Sequence, residues 1–195
     1  MPTARLIYSM IVSLDGYSAD REGHFDWAAP DDDVHAHVNE LEQSVGSYLY
    51  GARMYATMAG WETDPELATS SPLMADFARM WQAAEKIVYS TTLTEVVTAR
   101  TRIERRFDVG AVRELKAAAT ADLNVSGPGL AASALRAGLV DELQLYVVPV
   151  VVGGGTRFLP ADVRLELALT DERRFAGGTV FLRYDIRNGP PVTTT

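Results

Sequence analysis

The chain contains no cysteine, which removes disulfides, thiol nucleophiles and cysteine-bearing metal sites together. That fits a reducing cytoplasm, the expected location. Histidine is nearly as scarce. Of His24, His35 and His37, the last two are two positions apart and fall on different sides of any helix, so no metal centre is expected. No apolar run reaches the length of a membrane span, and Met1 to Arg5 leads straight into a strand-like segment, so neither a membrane anchor nor a secretory signal is expected. Basic residues are outnumbered, 18 Lys and Arg against 26 Asp and Glu, giving a formal charge of −8. A nucleic-acid surface is therefore not expected, although a local basic pocket for an anionic cofactor is still allowed. The stricter chemical signatures are missing too. There is no G-x-x-x-x-G-K-[ST] phosphate loop, no G-x-G-x-x-G after the first strand and no G-x-S-x-G nucleophile elbow.

What is present is a 195-residue chain that is 47% apolar, enough for one ordinary core without staples. A single domain is expected over 1–187, with a disordered Pro- and Thr-rich tail over 188–195. Leu6–Leu14 is a continuous apolar run of strand length, as in a strand covered on both faces. A helix is expected over Val34–Ser44, introduced by Asp31, Asp32 and Asp33 at its positive end. Ser47–Tyr50 reads as a strand, Ala52–Met58 as a helix, 60–72 as a long surface loop and Leu73–Ala84 as an amphipathic helix. Lys86–Tyr89 is the next strand, Arg100–Phe107 is poorly determined, and Ala111–Ala119 is helical by propensity. Asp141–Val152 is β-rich, and Pro149 within it suggests a bulge or an edge. Gly153-Gly154-Gly155 reads as a flexible break. Leu165–Thr170 and Thr179–Ile186 look like two strands able to pair, with too many residues between them for a tight hairpin. Strands alternating with helices imply a mostly parallel sheet with antiparallel pairing towards the C-terminus.

The most informative stretch is 121–135. Its apolar run Leu123–Val125 meets Ser126-Gly127-Pro128-Gly129, and a helix-periodic segment follows. Ser126 is placed to cap that helix, and the glycines leave its first amides uncovered, which makes a corner suited to phosphate or carboxylate. The plain alternative is a tight turn with no ligand. Two further strand ends carry small or hydroxylated residues, Gly51 and Ser90-Thr91-Thr92. In open α/β sheets, ligands bind beyond the carboxyl ends of the strands. Arg53 either adds positive charge there or is a surface arginine, and Ser90–Thr92 either border a ligand or form an ordinary cap or turn.

Several motifs in order resemble the dihydrofolate reductase superfamily, nearer to the reductase domain of riboflavin biosynthesis than to dihydrofolate reductase itself. They are Ser13-Leu14-Asp15-Gly16-Tyr17-Ser18-Ala19, Tyr50-Gly51-Ala52-Arg53-Met54-Tyr55, Ile87-Val88-Tyr89-Ser90-Thr91-Thr92, Val125-Ser126-Gly127-Pro128-Gly129-Leu130, and Leu139–Leu143 running into Val148–Gly155. The resemblance implies a dihydrofolate reductase-like three-layer α/β fold, with a central mostly parallel mixed sheet of about eight strands and flanking helices. It implies an NADPH site, with NADH or a flavin as alternatives. Gly51 and Arg53 would lie near the phosphates, Ser90, Thr91 and Thr92 at the adenosine end, and Ser126, Gly127, Pro128, Gly129 and Leu130 at the pyrophosphate. The first loop, including Ile11, Gly16 and Ser18, would flank the nicotinamide. Asp15 and Asp33 are the candidates for polar contact or proton relay. Tyr17 and Trp27 are the candidates to stack on substrate, Trp27 having packing against the helix start as its other role. Two positions depart from the family pattern: Ala52 replaces an arginine and Met54 a threonine. The expected activity is hydride transfer to a flat, pteridine-like or pyrimidine-like heterocycle by a homodimer. The alternatives are a nucleotide- or flavin-binding protein with little turnover, or a purely structural one.

Overall fold

A computed structural model describes residues 4–187, together with the backbone of 192–193. In chain order the strands are β1 (Leu6–Ser13), β2 (Tyr17–Ala19), β3 (Val45–Gly51), β4 (Glu85–Tyr89), β5 (Thr101–Glu104), β6 (Asp122–Ser126), β7 (Glu142–Val148), β8 (Thr156–Arg157), β9 (Val163–Arg164), β10 (Leu167–Arg174), β11 (Val180–Ile186) and β12 (Val192–Thr193). The helices are α1 (Asp32–Glu42), α2 (Ala52–Met58), α3 (Gly60–Thr63), α4 (Pro65–Thr69), α5 (Pro72–Ala83), α6 (Val109–Ala118) and α7 (Pro128–Arg136). Eight strands form one mixed sheet in the order β10-β11-β7-β1-β6-β3-β4-β5. All pairings from β7 to β5 are parallel, and β10 and β11 join antiparallel.

Side-chain alternation divides this sheet into two faces. On one face Leu6, Tyr8, Leu123, Val125 and Leu143 pack with Ala131, Ala134 and Leu135 of α7. On the other, Tyr146 and Phe181 pack with Val34 of α1, while Tyr48, Tyr50 and Val88 meet Phe77 and Trp81 of α5. Trp81 is fully buried and its indole N–H donates to the Tyr50 hydroxyl at 2.8 Å, so the polar end of a large apolar side chain is satisfied. Lys86, also buried, donates to the Trp81 and Gln82 carbonyls at the end of α5. It places positive charge where the helix dipole favours it.

Four expectations change. The stretch 60–72 holds α3 and α4 instead of a loop. Asp64 accepts from the amides of Glu66 and Leu67 at 3.0 and 3.2 Å, with Pro65 at the first helical position, so a cap and a preset φ make a short helix. Strand β7 is central, between β11 and β1, and Pro149 lies just past its end, where no ladder bond is lost. β10 and β11 do form a close hairpin, because β10 runs on through charged residues to Arg174. The turn is closed by Phe175 N–H to the Thr179 carbonyl at 2.9 Å, with Gly178 at φ +91°. Gly153–Gly155 is a close-packed crossing: a Cβ on Gly155 would collide with the Ala19 carbonyl. The expected tail lies outside the described residues, apart from the 192–193 backbone, which pairs with β9. Among the described residues, no helix is long and apolar enough to cross a membrane.

Candidate functional site

The order of strands locates a crevice. From β1 the chain skips one place to β3 and continues outward through β4 and β5. It then returns to insert β6 between β1 and β3, and goes on to β7 on the far side of β1. The crossover after β1 carries α1 over one face, and the crossover after β6 carries α7 over the other. Neighbouring strands whose following helices diverge leave an opening beyond their carboxyl ends. By strand order that place is between the tips of β1 and β6, with the tips of β3 and β4 beside it. The structure thus brings Asp15–Ser18, Ser126–Leu130, Gly51 and Ser90–Thr92 to one edge of the sheet.

At the β6 tip, Gly127 holds the cap position of α7 with φ +97°, and no side chain caps the helix. This differs from the sequence expectation for Ser126, whose hydroxyl donates back to Asn124 Oδ1 at 2.8 Å instead. The first helical bond runs from the Ala131 amide to the Gly127 carbonyl. Pro128 has no N–H, which leaves the Gly129 and Leu130 amides at the positive helix end without intrahelical partners. A Cβ added at Gly129 or Gly51 would meet nothing within 4 Å, whereas one at Gly127 would approach Met54 Cβ at 3.3 Å. Open backbone, an uncapped helix and a glycine held against α2 fit the phosphates of a dinucleotide. Arg53 is exposed on α2 and makes no ion pair among the described residues.

At the β4 tip Ser90 closes a local turn. Its Oγ accepts from the Thr92 and Leu93 amides at 3.3 and 3.0 Å, a local turn that leaves Thr91 and Thr92 exposed. Arg105, which sequence reasoning missed, donates to the Ser90 and Leu93 carbonyls at 3.2 and 2.6 Å. It adds a cation beside this tip, and its signal was the Arg105-Arg106 pair directly after a strand.

The β1 tip is fastened at several points. Asp15 Oδ1 and Oδ2 accept from the Val152 and Gly153 amides at 3.2 and 2.8 Å. The Ser13 hydroxyl, and then the Gly153 and Val152 amides, hold Asp15 below the usual carboxylate range despite some desolvation. Gly16 turns at φ +83°. The Tyr17 amide donates to Ser13 Oγ at 3.0 Å, and its ring lies 5.3 Å from the Arg157 guanidinium. Ser18 donates to the Thr156 carbonyl at 3.2 Å. Ile11 packs with Val34, Tyr146 and Phe181 beneath the loop. Trp27 sits in a short 3-10 turn over Asp26–Ala28, half-buried, and its indole nitrogen is shielded without a partner among the described residues. Asp33 is exposed at the start of α1. Its oxygens accept from the Val34 and Ala176 amides at 2.9 and 3.3 Å, so it ties α1 to the β10–β11 turn instead of meeting Asp15.

Beneath the β6 tip is a buried polar chain with little signature in the sequence. Glu42, at the end of α1, accepts from the Tyr48 hydroxyl at 2.7 Å and from Asn124 Nδ2 at 3.0 Å. Burial raises its pKa to about 7, against the lowering by these two donors. The available signal was Asn124, a polar residue inside the apolar strand Leu123–Val125. The histidines do part as expected: His35 lies beside Trp61 and Phe77, while His37 Nδ1 meets the Tyr146 hydroxyl at 3.0 Å. Burial lowers the pKa of both.

The sequence profile of the RibD C-terminal domain matches residues 4–181. The chain belongs to this family. It is 26% identical over 185 residues, 92% of this chain and 94% of the other, to the uncharacterized protein YyaP of Bacillus subtilis (strain 168). A putative riboflavin biosynthesis protein from Shewanella sp. PV-4 has the same fold, with a TM-score of 0.74 at 20% identity, covering 94% of this chain and 99% of that one. A pyrimidine reductase-like protein from Corynebacterium diphtheriae superposes with a TM-score of 0.64 at 14% identity, covering 95% and 93%. The match to the bifunctional diaminohydroxyphosphoribosylaminopyrimidine deaminase/5-amino-6-(5-phosphoribosylamino)uracil reductase of Thermotoga maritima has a TM-score of 0.62 at 14% identity. It covers 95% of this chain but 57% of that one. These similarities establish the dihydrofolate reductase-like fold.

Proposed function

We propose that the protein is a reductase that transfers hydride from NADPH to a flat nitrogen heterocycle of pteridine-like or pyrimidine-like shape. The observation that carries this reading is the uncapped first turn of α7, opening onto the crevice between the β1 and β6 tips. Gly129 and Leu130 would hold the pyrophosphate by main-chain N–H groups. Gly51 leaves room beside it, Arg53 and Arg105 supply charge in an otherwise acidic protein, and Ser90–Thr92 border the adenosine end. Bound NADPH would supply the hydride. The chain's own part is to align two rings and exclude water. Asp15 serves as the fastener that holds the first loop against 152–153, with Tyr17 and Trp27 at the substrate side.

Titration with NADPH followed by fluorescence, then a panel of oxidised pteridines and aminopyrimidines followed by loss of NADPH absorbance, tests this. Saturable binding with oxidation by one of the panel supports the reductase. One observation favours a second reading, a binder with little turnover: Asp15 and Asp33 each commit both oxygens to main-chain amides. Tight binding with no oxidation of any heterocycle supports that reading.

The proposal includes a homodimer. Leu145, Val147, Leu182 and Val180 are register neighbours on one sheet face, where Val180 and nearby Leu169 are exposed. Light scattering behind size exclusion, with Val180→Asp shifting the mass towards one chain, tests it.

A further inference from the structure

The buried chain under the β6 tip runs without a break from α1 to the crevice: Tyr48 hydroxyl to Glu42, Glu42 to Asn124, Asn124 to Ser126. Glu42, Tyr48 and Asn124 are nearly sealed from solvent, with 7%, 2% and 3% exposure, while Ser126 is half-buried at the strand tip. In the geometry seen, Asn124 Nδ2 gives a hydrogen to Glu42, so its Oδ1 faces Ser126 and takes the serine's hydrogen. Ser126 is then left with only lone pairs to offer the crevice. A phosphate oxygen finds no donor there.

Resting on the dinucleotide reading of this corner, we propose that Glu42, acting through the Asn124 amide, sets whether Ser126 presents a hydrogen or lone pairs to the cofactor phosphates. Glu42 and Asn124 are positioning residues that never touch the ligand. The argument is one of hydrogen counting. When Glu42 takes up a proton, that proton cannot reside on Oε2 without cost. The Tyr48 hydroxyl hydrogen already points there and has no other acceptor among the described residues. The proton belongs on Oε1, which turns Glu42 from acceptor to donor towards Asn124. The amide rotates by half a turn, so that Oδ1 accepts from Glu42 and Nδ2 donates to Ser126 Oγ. The serine hydrogen is released towards the Gly129 and Leu130 amides, where it joins them as a third donor for an anion. Every buried group stays satisfied in both arrangements, as low local permittivity demands.

The titratable groups facing Glu42 are Tyr48 and Tyr50 of β3 and Tyr146 of β7. Burial pushes all three hydroxyls upward, so they stay neutral through the relevant range. The buried residues of α5, packed along α1, are Phe77, Ala78 and Trp81, none of them charged. Glu42→Gln reproduces the protonated arrangement: its carbonyl accepts from Tyr48, its amide donates to Asn124, and Ser126 keeps its outward hydrogen at every pH.

The test is NADPH affinity by fluorescence titration from about pH 6 to about pH 8 for the natural protein, Glu42→Gln and Ser126→Ala. Over that range the natural protein should lose about six- to ninefold in affinity relative to Glu42→Gln, because a hydrogen bond to a charged group is worth more than about tenfold but is only about nine-tenths withdrawn by pH 8. Both should agree at the acid end. The ratio between these two proteins cancels titration of the ligand and of His35 and His37. Ser126→Ala should be weak throughout and lose the same slope, which decides the matter even if the buried variant folds poorly. A pH-independent ratio, or an unchanged slope in Ser126→Ala, overturns the inference while leaving the dinucleotide site intact. No NADPH binding by any of the three at any pH overturns the dinucleotide reading, and the inference with it.

Discussion

Gly129 occupies the second position of α7, and a Cβ built there meets nothing within 4 Å, so an aspartate in its place disturbs no packing. The substitution acts on two properties in opposite directions. Exchanging glycine for aspartate in a helix recovers only about 0.3 kcal/mol of propensity, and a carboxylate in the first turn adds about 0.3–1 kcal/mol through the helix dipole. For a domain of this size the sum corresponds to a rise in Tm of about 1–5 °C. The same carboxylate would face a pyrophosphate held by the Gly129 and Leu130 amides, and like unit charges at a separation of about 4 Å repel by about 4 kcal/mol at an effective permittivity near 20. Solvent at this exposed position reduces that, leaving a loss of about ten- to a hundredfold in NADPH affinity. Gly129→Ala is the control for bulk. It should gain about 0.5–1 kcal/mol from helix propensity alone and hold affinity within about threefold. Scanning calorimetry and fluorescence titration read the two effects separately. A more stable Gly129→Asp protein that binds NADPH as tightly as the parent would refute the placement of the phosphates. A less stable one would refute the open, uncapped α7.

Three further outcomes follow from the packing and titration of the fold. Gly155→Ala forces a Cβ into the Ala19 carbonyl at φ +127°, so urea unfolding should show a loss of more than about 2 kcal/mol; an unchanged midpoint would contradict the crossing of 153–155 over 19–21. Glu42 has a folded pKa raised from 4.5 to about 7. Its contribution is fully present below about pH 4.5 and is lost as pH rises through about 7, so Glu42→Gln should gain on the natural protein by up to about 3 kcal/mol across that interval. Parallel stability curves for the two proteins would show that Glu42 is not buried as a carboxyl. Asp15→Ala frees the first loop from the Val152 and Gly153 amides. Amide exchange should quicken at both positions while the core strands keep their protection; unchanged exchange would remove the fastening role.

Much of this fold was legible because its strongest signals are local. The apolar run of β1, the strand–glycine–helix corners at Gly51 and Gly127, and the propensity of α6 each depend on neighbours in sequence. The Asp64 cap with Pro65 is equally local, but the Pro and Thr of 60–72 suit a surface loop as well as a capped short helix. Pro149 misled for another reason: a proline just beyond a central strand looks in sequence like one within an edge strand. At the site, the corners could be named, but the state of their side chains could not. Ser126 turns back to Asn124 instead of capping α7, and Asn124 is in turn held by Glu42, 82 positions earlier in the chain. Asp15 and Asp33 showed their type and not their partners, which are amides at 152–153 and 176. Such long-range hydrogen bonds leave no periodicity to read.

The most direct test of the dinucleotide crevice is a backbone amide NMR titration with NADPH. The account predicts saturable shifts at Gly129 and Leu130, with companion shifts at Gly51 and the Asp15–Ser18 loop, and none at Arg5 and Glu142 on the opposite edge of the sheet. Saturable binding that leaves Gly129 and Leu130 unmoved would contradict it.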